Sequence, residues 1–401
     1  MGSEAESKHG DHPGGRICLS HLLGGMGLLL SFGAFVNVQF NNYLFESRGL
    51  GPSQIGMVSA LGNLAALFSP VVAGWWTDRS GSPRLVLSVY LLLGGLALSV
   101  LPYLQGAVVL AVGFFLLQVA LSPISSLSQS LVIRRTSAGS SAFFAMRAMG
   151  TLGFFLVSMW LSKALRVQGL EHAYLAMGVL LAVSLPFFLL LPARAQMQTG
   201  IVGLRLREVV ASLWNRDLWV VYFGGGLGFL CNAMGVTILA NLITGPFHRG
   251  PEDISKAWAL ATGFEMAFMM LAIPFVRRFG LKTLLVTGFM ATSARWLLAG
   301  YSTSFEMLLA VQSLHGLMVV GVFTGQSLIL ARLLPSQRLS SGTAAATLLN
   351  GGVMSVVGSM LAGWIWQQWG VRAVCFTTSV VALAAGVFYL ALGPSPSRRR
   401  D

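Results

Sequence analysis

Glu265, Arg295 and His315 stand in three separate, long and otherwise apolar stretches of the carboxy-terminal half of a 401-residue chain. An ionisable group at membrane depth is costly unless it is paired or faces a water-filled interior, so such groups mark ion or substrate pathways. The three types complement one another, because a carboxylate protonates reversibly, a guanidinium stays charged and an imidazole titrates near neutrality. Together they are suited to a proton relay in which motion of Glu265 relative to Arg295 captures or releases a proton. An ion pair between those two is the expected resting arrangement. Asn37 and Asn41, one helical turn apart, share a face of the first apolar stretch. With Gln129, Arg147, Asn232 and Gln312 they are the candidate substrate ligands, and Arg147 is suited to an anionic group.

Other chemistries find no support in the sequence. No second His or Cys lies at metal-ligand spacing from His315, so no metal site is expected. A glycine-rich phosphate loop with its lysine is missing, which argues against nucleotide use. No Ser/His pair accompanies an oxyanion motif, which argues against an enzyme. No cofactor is expected, protons being the coupling ion. Cys18, Cys231 and Cys375 read as small hydrophobes.

These side chains must be held by membrane helices. Hydrophobic residues make up 55% of the chain and charged residues only 10%, against roughly 25% charged in a soluble domain. The 47 glycines suit helices that approach one another through small residues, and the alternation of a transmembrane β-barrel is lacking. Windows long enough to cross a bilayer fall near 20–44, 53–76, 84–103, 106–130, 142–164 and 173–192. A second set falls near 218–243, 256–275, 283–302, 305–330, 341–366 and 371–392. The fold expected is therefore an all-α membrane protein of twelve transmembrane helices in two six-helix, pseudo-symmetric halves. Its parts are an amino-terminal tail (1–19), a first bundle (20–192), a central loop (193–217), a second bundle (218–392) and a basic tail (393–401). The first apolar segment is too long for a removed signal peptide and is expected to remain as the first span.

With both termini on one side, eighteen of the 26 basic residues fall on that side and six on the other, leaving Arg147 and Arg295 within spans. The positive-inside rule then makes both termini cytoplasmic. The net charge of +13 thus reflects topology, and nucleic acid is not an expected partner because the basic residues are scattered over short loops.

Between the second and third windows runs Gly74-Trp75-Trp76-Thr77-Asp78-Arg79-Ser80-Gly81-Ser82-Pro83-Arg84. It resembles the signature loop of the major facilitator superfamily, and Arg277-Arg278-Phe279-Gly280-Leu281-Lys282 is a weaker echo in the second half. The resemblance implies that Gly74 lets two helices meet closely. It also implies that Asp78 pairs with basic residues such as Arg79 and Arg84 to hold a cytoplasmic gate. Gly263-Phe264-Glu265, Ser293-Ala294-Arg295-Trp296 and Val311-Gln312-Ser313-Leu314-His315 are similar, in order and spacing, to the proton-coupling core of lactose permease-like symporters, a group that includes the phenylpropionate permeases. The galactoside carriers have an acid where this chain has Met318, another near Gln129, and others in the region of Asn232 to Asn241.

These departures point away from galactosides. The resulting expectation is proton-coupled uptake of a small organic solute by a monomer in a bacterial inner membrane. An aromatic or other small carboxylate ranks first, and nucleosides or sugars follow. Proton-driven export is the alternative direction, disfavoured because Gly150-Thr151-Leu152-Gly153 lacks the Gly-Pro element of such exporters.

Overall fold

The computed structural model describes residues 19–136, 140–191, 215–334, 342–343 and 345–394, without the side chains of 133–136 and 140–147. The expected terminal tails and central loop lie almost wholly outside these residues. Every regular element among the described residues is helical. The first is α1 (Leu19–Ser47), which tightens to a 3₁₀ turn at Phe35–Gln39, followed by α2 (Pro52–Ser80), α3 (Pro83–Tyr103) and α4 (Ala107–Thr136). The helix Ser140–Leu189 is broken at Gly169 into two arms, α5 (140–168) and α6 (170–189). Beyond residue 214 come α7 (Arg216–Thr244), α8 (Pro251–Phe279), α9 (Leu281–Tyr301), α10 (Phe305–Leu333), α11 (Thr347–Trp369) and α12 (Val371–Leu392).

Local chemistry sets the ends. Pro52, Pro83 and Pro251 open their helices, where a missing N–H costs nothing. The Asn215 and Ser304 side chains accept from the Leu218 and Met307 amides, each at 3.1 Å. Gly81 closes α2 at φ 62°, and Gly169 reverses the chain at φ 80°, both in the region that disfavours side chains.

Ten helical stretches among the described residues are long and apolar enough to cross a membrane. The difference from the twelve expected windows has two sources. The stretch Ala148–Leu189 takes in both arms around Gly169. Leu281–Tyr301, of comparable length, carries Lys282 and Arg295 and is not among the ten.

Helices α1–α6 pack mainly on one another, as do α7–α12, and the two groups meet along α2–α11, α5–α8 and α1–α7. Glycine sets the closest seams. A Cβ placed on Gly56 of α2 would lie 2.8 Å from Gly363 Cα of α11, and one on Gly321 of α10 would lie 2.6 Å from Gly288 Cα of α9. Such backbone contact gives dispersion packing where lipid supplies no hydrophobic drive between helices.

The two groups join at one end of the bundle, the end that holds the Gly169 turn. There Ser53 N–H reaches Gln367 Oε1 at 3.3 Å, Arg166 lies 3.7 Å from Glu252, and Asn241 donates to Glu46 at 2.6 Å. One apolar core runs through both groups, including Phe45, Ile55, Trp258 and Ile365. A second, with Leu218, Leu285, Ile329 and Tyr389, is made among the described residues by the second group of helices, α7–α12, and the segment that leads into α11.

Replacing Gly321 with Val is expected to overpack the α9–α10 seam and to destabilise the protein by about 1–3 kcal/mol. A lowered melting temperature of the purified protein in detergent checks this, and an unchanged one would show that the seam yields freely.

Candidate functional site

Just inside the joined end lies a cavity of about 450 Å³ between α1, α2, α4, α5, α7 and α11. Its walls carry amides and hydroxyls on polar faces of apolar helices. Asn37 donates to Asn41 Oδ1 at 3.4 Å, and Tyr174 of α6 donates to the same oxygen at 2.7 Å. Asn42 accepts from Ser59 at 2.9 Å and donates across to the Val236 and Thr237 carbonyls of α7 at 3.1 and 3.0 Å. Asn63 ties α2 to the Ser355 carbonyl and the Ser359 hydroxyl of α11 at 3.2 and 3.0 Å. Among the described residues Gln118 and Asn232 have no hydrogen-bond partner, so their amides remain available to a solute. Phe35, Phe114 and Phe154 supply apolar wall, and no described lining residue is ionisable.

Apart from the cavity, α8, α9 and α10 enclose Arg295, only 3% exposed. Its Nε and Nη2 donate to Gln312 Oε1 at 3.1 and 2.5 Å, and Nη1 lies 2.9 Å from His315 Nδ1. A guanidinium only donates, so Nδ1 is the acceptor and the ring proton sits on Nε2. The guanidinium carbon also lies 4.7 Å from the Trp296 ring centre, where the π face attracts a cation. Arg295 thus takes Gln312 and His315 in place of the carboxylate expected from the sequence. Glu265 sits on the adjoining face of α8, where a Cβ added to Gly316 would lie 2.6 Å from the Glu265 nitrogen.

The structure sorts the sequence candidates. Asn37, Asn41 and Asn232 line the cavity. Gln129 instead folds back onto its own helix, donating to the Ser125 carbonyl and hydroxyl at 3.0 Å each. Gln312 is fully buried as the partner of Arg295. The Arg147 side chain lies outside the described residues. The motif read from the sequence as a loop runs mostly within the end of α2, and there Gly74 has nothing within 4 Å of its Cβ position, so it makes no close helix contact. Asp78 is exposed and forms no ion pair among the described residues, Arg79 lies over Trp75 at 5.6 Å, and Arg84 has Nε and Nη2 buried without an acceptor. The acid and base of this motif are therefore apart. Sequence reasoning passed over Ser59, Ser122, Ser125, Ser355 and Ser359. Their signal was helical spacing: Ser59 with Asn63, Gln118 with Ser122 and Ser125, and Ser355 with Ser359 each share a face.

Because Arg295 needs acceptors, His315→Leu is expected to destabilise the protein by about 1–3 kcal/mol, whereas His315→Gln, which keeps an acceptor, loses less. Thermal unfolding of both variants in detergent checks the order, and equal losses would remove the acceptor role.

The MFS_1 like family model matches residues 28–377. Maltose permease of Geobacillus stearothermophilus is 26% identical over 376 residues, covering 91% of each chain. The putative nucleoside transporter YegT of Escherichia coli K12 is 25% identical over 294 residues, 69% of this chain and 67% of its own. Among solved structures, a mutant form of the nucleoside transporter NupG superposes with a TM-score of 0.82 at 16% identity, covering 93% of this chain and 99% of that one. A D-xylose–proton symporter gives 0.70 at 14% identity, covering 94% and 98%. A match of that extent, on an all-helical bundle built around a central cavity, means that this chain belongs to the MFS_1 like family of the major facilitator superfamily, whose members are membrane transporters and not enzymes.

Proposed function

We propose that the protein is a proton-coupled symporter that takes up a small neutral solute, a nucleoside or a sugar, across a bacterial inner membrane. The observation that carries the solute class is the cavity wall of amides, hydroxyls and three phenylalanines, without an ionisable group among its described lining residues. Paired donors and acceptors suit a hydroxylated ring, and flat apolar wall suits a base or a sugar face. A cavity of about 450 Å³ is within the usual range for small-molecule sites. The similarity to a maltose permease and to nucleoside transporters supports this class. Arg295, held by Gln312 and His315 off the cavity wall, offers no anchor to the carboxylate ranked first from sequence, and the side chain of Arg147, the anionic anchor expected there, lies outside the described residues.

In this reading the chain crosses the membrane twelve times. The arms on either side of Gly169 count as two spans, and Leu281–Tyr301 is a span whose Arg295 faces the interior. Two six-helix halves rock about the cavity, with both termini cytoplasmic. The polar contacts at the Gly169 end close the outer face. The separated Asp78 and Arg84 belong to a cytoplasmic gate that is open, and their pairing would accompany closure of that gate. Glu265, Arg295 and His315 carry the proton, and the unit acts as a monomer without a cofactor.

Uridine, adenosine or maltose added to de-energised, lightly buffered cells that express the protein is expected to raise external pH. The response should be lost in Glu265→Gln. Aromatic acids should produce no rise beyond that of cells lacking the protein. A rise with aromatic acids alone would overturn the neutral-solute reading, and uphill accumulation without a pH change would overturn proton coupling. Asn232→Ala is expected to weaken half-saturation about tenfold, the equivalent of one hydrogen bond of about 1.4 kcal/mol, whereas Gln129→Ala leaves it nearly unchanged.

A further inference from the structure

The solute cavity and the Arg295 site share no side chain, but one residue stands between them. Trp258 of α8 is 8% exposed. On one side its ring meets His315 edge-to-face, with centres 5.6 Å apart and planes at 81°. On the other it meets Phe154 of α5, at 6.3 Å and 68°. Both pairs fall in the range where aromatic rings attract through their quadrupoles. Phe154 is part of the cavity wall, and α5–α8 is one of the seams between the two groups of helices. A continuous row of rings thus runs from the cavity through Trp258 to the imidazole that Arg295 holds.

We propose that Trp258 is the positioning residue that transmits protonation of His315 to Phe154 and so to the solute cavity. The inference rests on the proton-symport reading and names the part that joins its two sites. In the arrangement seen, His315 Nδ1 spends its lone pair on Arg295. A proton added at Nδ1 removes that acceptor, breaks the 2.9 Å hydrogen bond and sets an imidazolium against a guanidinium. The two cations repel. The ring's aromatic neighbour is the Trp258 indole, which attracts an imidazolium through its π face. A shift of the imidazole from Arg295 toward Trp258 then reseats the indole against Phe154.

Other groups bear on the same titration. On α9 the charged neighbour is Arg295; on α8 it is Glu265, whose backbone abuts Gly316; and the Cys375 thiol of α12 is within electrostatic reach of the guanidinium. Asp253 and Lys256, near the start of α8, are paired with each other. An ionised Glu265 favours the imidazolium and Arg295 opposes it, so the order in which Glu265 and His315 take the proton sets when Trp258 moves.

The test has a spectroscopic arm and a transport arm. The chain has ten tryptophans, so the signal of Trp258 is the difference between wild type and Trp258→Phe. An imidazolium quenches a neighbouring indole, so acidification of the purified protein is expected to produce a quench in wild type that Trp258→Phe and His315→Gln both lack. In the transport arm, with uridine and maltose as probes, Trp258→Leu is expected to keep energy-independent exchange. It should accumulate solute at least tenfold less and lose the pH dependence of half-saturation, and Trp258→Phe should recover part of both. An acid quench identical in wild type and Trp258→Phe overturns the proposal whatever solute is carried. So does wild-type accumulation and pH dependence in Trp258→Leu when the wild type moves protons with solute. Should the wild type move no protons with either probe, the symport reading falls, and the quench alone decides whether Trp258 senses His315.

Discussion

Arg295 can only donate hydrogen bonds, and the centre of α8–α10 is arranged around that limitation. A cation buried among apolar helices must be given acceptors or it destabilises the bundle. Gln312 supplies one oxygen to two of its nitrogens and His315 supplies a ring nitrogen, while the Trp296 face covers the plane of charge. Each of these partners is committed by the need. Gln312 is unavailable to solute, His315 is fixed in one tautomer, and the close Gly316–Glu265 approach brings α8 against the same site. Charge compensation by neutral groups can be undone by a single proton, because the acceptor nitrogen of His315 is also its free base.

The second constraint is geometric. Helices in lipid gain little by hiding apolar surface from one another, so association depends on backbone approach and on polar contacts. At the Gly169 end both are present. Gly56 meets Gly363, and the carboxamides of Asn42, Asn63 and Asn241 each reach across between the two groups of helices. Asn42 and Asn63 are at once wall of the cavity and part of its closure. A solute that competes for these amides therefore acts on the same hydrogen bonds that hold the groups together. This supplies a physical basis for linking occupancy to opening without any part dedicated to that task.

The ring row of Phe154, Trp258 and His315 fits between these two constraints. It crosses the α5–α8 seam at the level where polar closure gives way to the buried cation. Aromatic contacts of this kind are weak individually and tolerate reorientation. That property suits a connection that must persist while the groups of helices shift, which a salt bridge in hydrocarbon would do at far greater cost.

Much of this was legible from residues alone. Long apolar windows located the helices, because a bilayer demands runs of that length, and Pro or Gly at the turns set their ends. Glu265, Arg295 and His315 announced themselves because ionisable groups are so costly in such windows. Asn37 and Asn41 fell on one face by helical arithmetic alone. What sequence could not decide was which polar group faces which. Gln129 and Asn232 are equally conspicuous amides, yet one folds onto its own helix and the other faces the cavity, a difference set by helix rotation against neighbours. Arg295 and Glu265 were natural partners by charge, but the turn of α9 against α10 gives the guanidinium to Gln312 and His315. The amino-acid sequence by itself determined that this chain lives in a membrane and where its charges lie along the helices, since hydropathy and span length are local properties. Only the tertiary structure decided the cavity, its neutral lining and the ring row beside it, because these depend on faces brought together from helices more than a hundred residues apart.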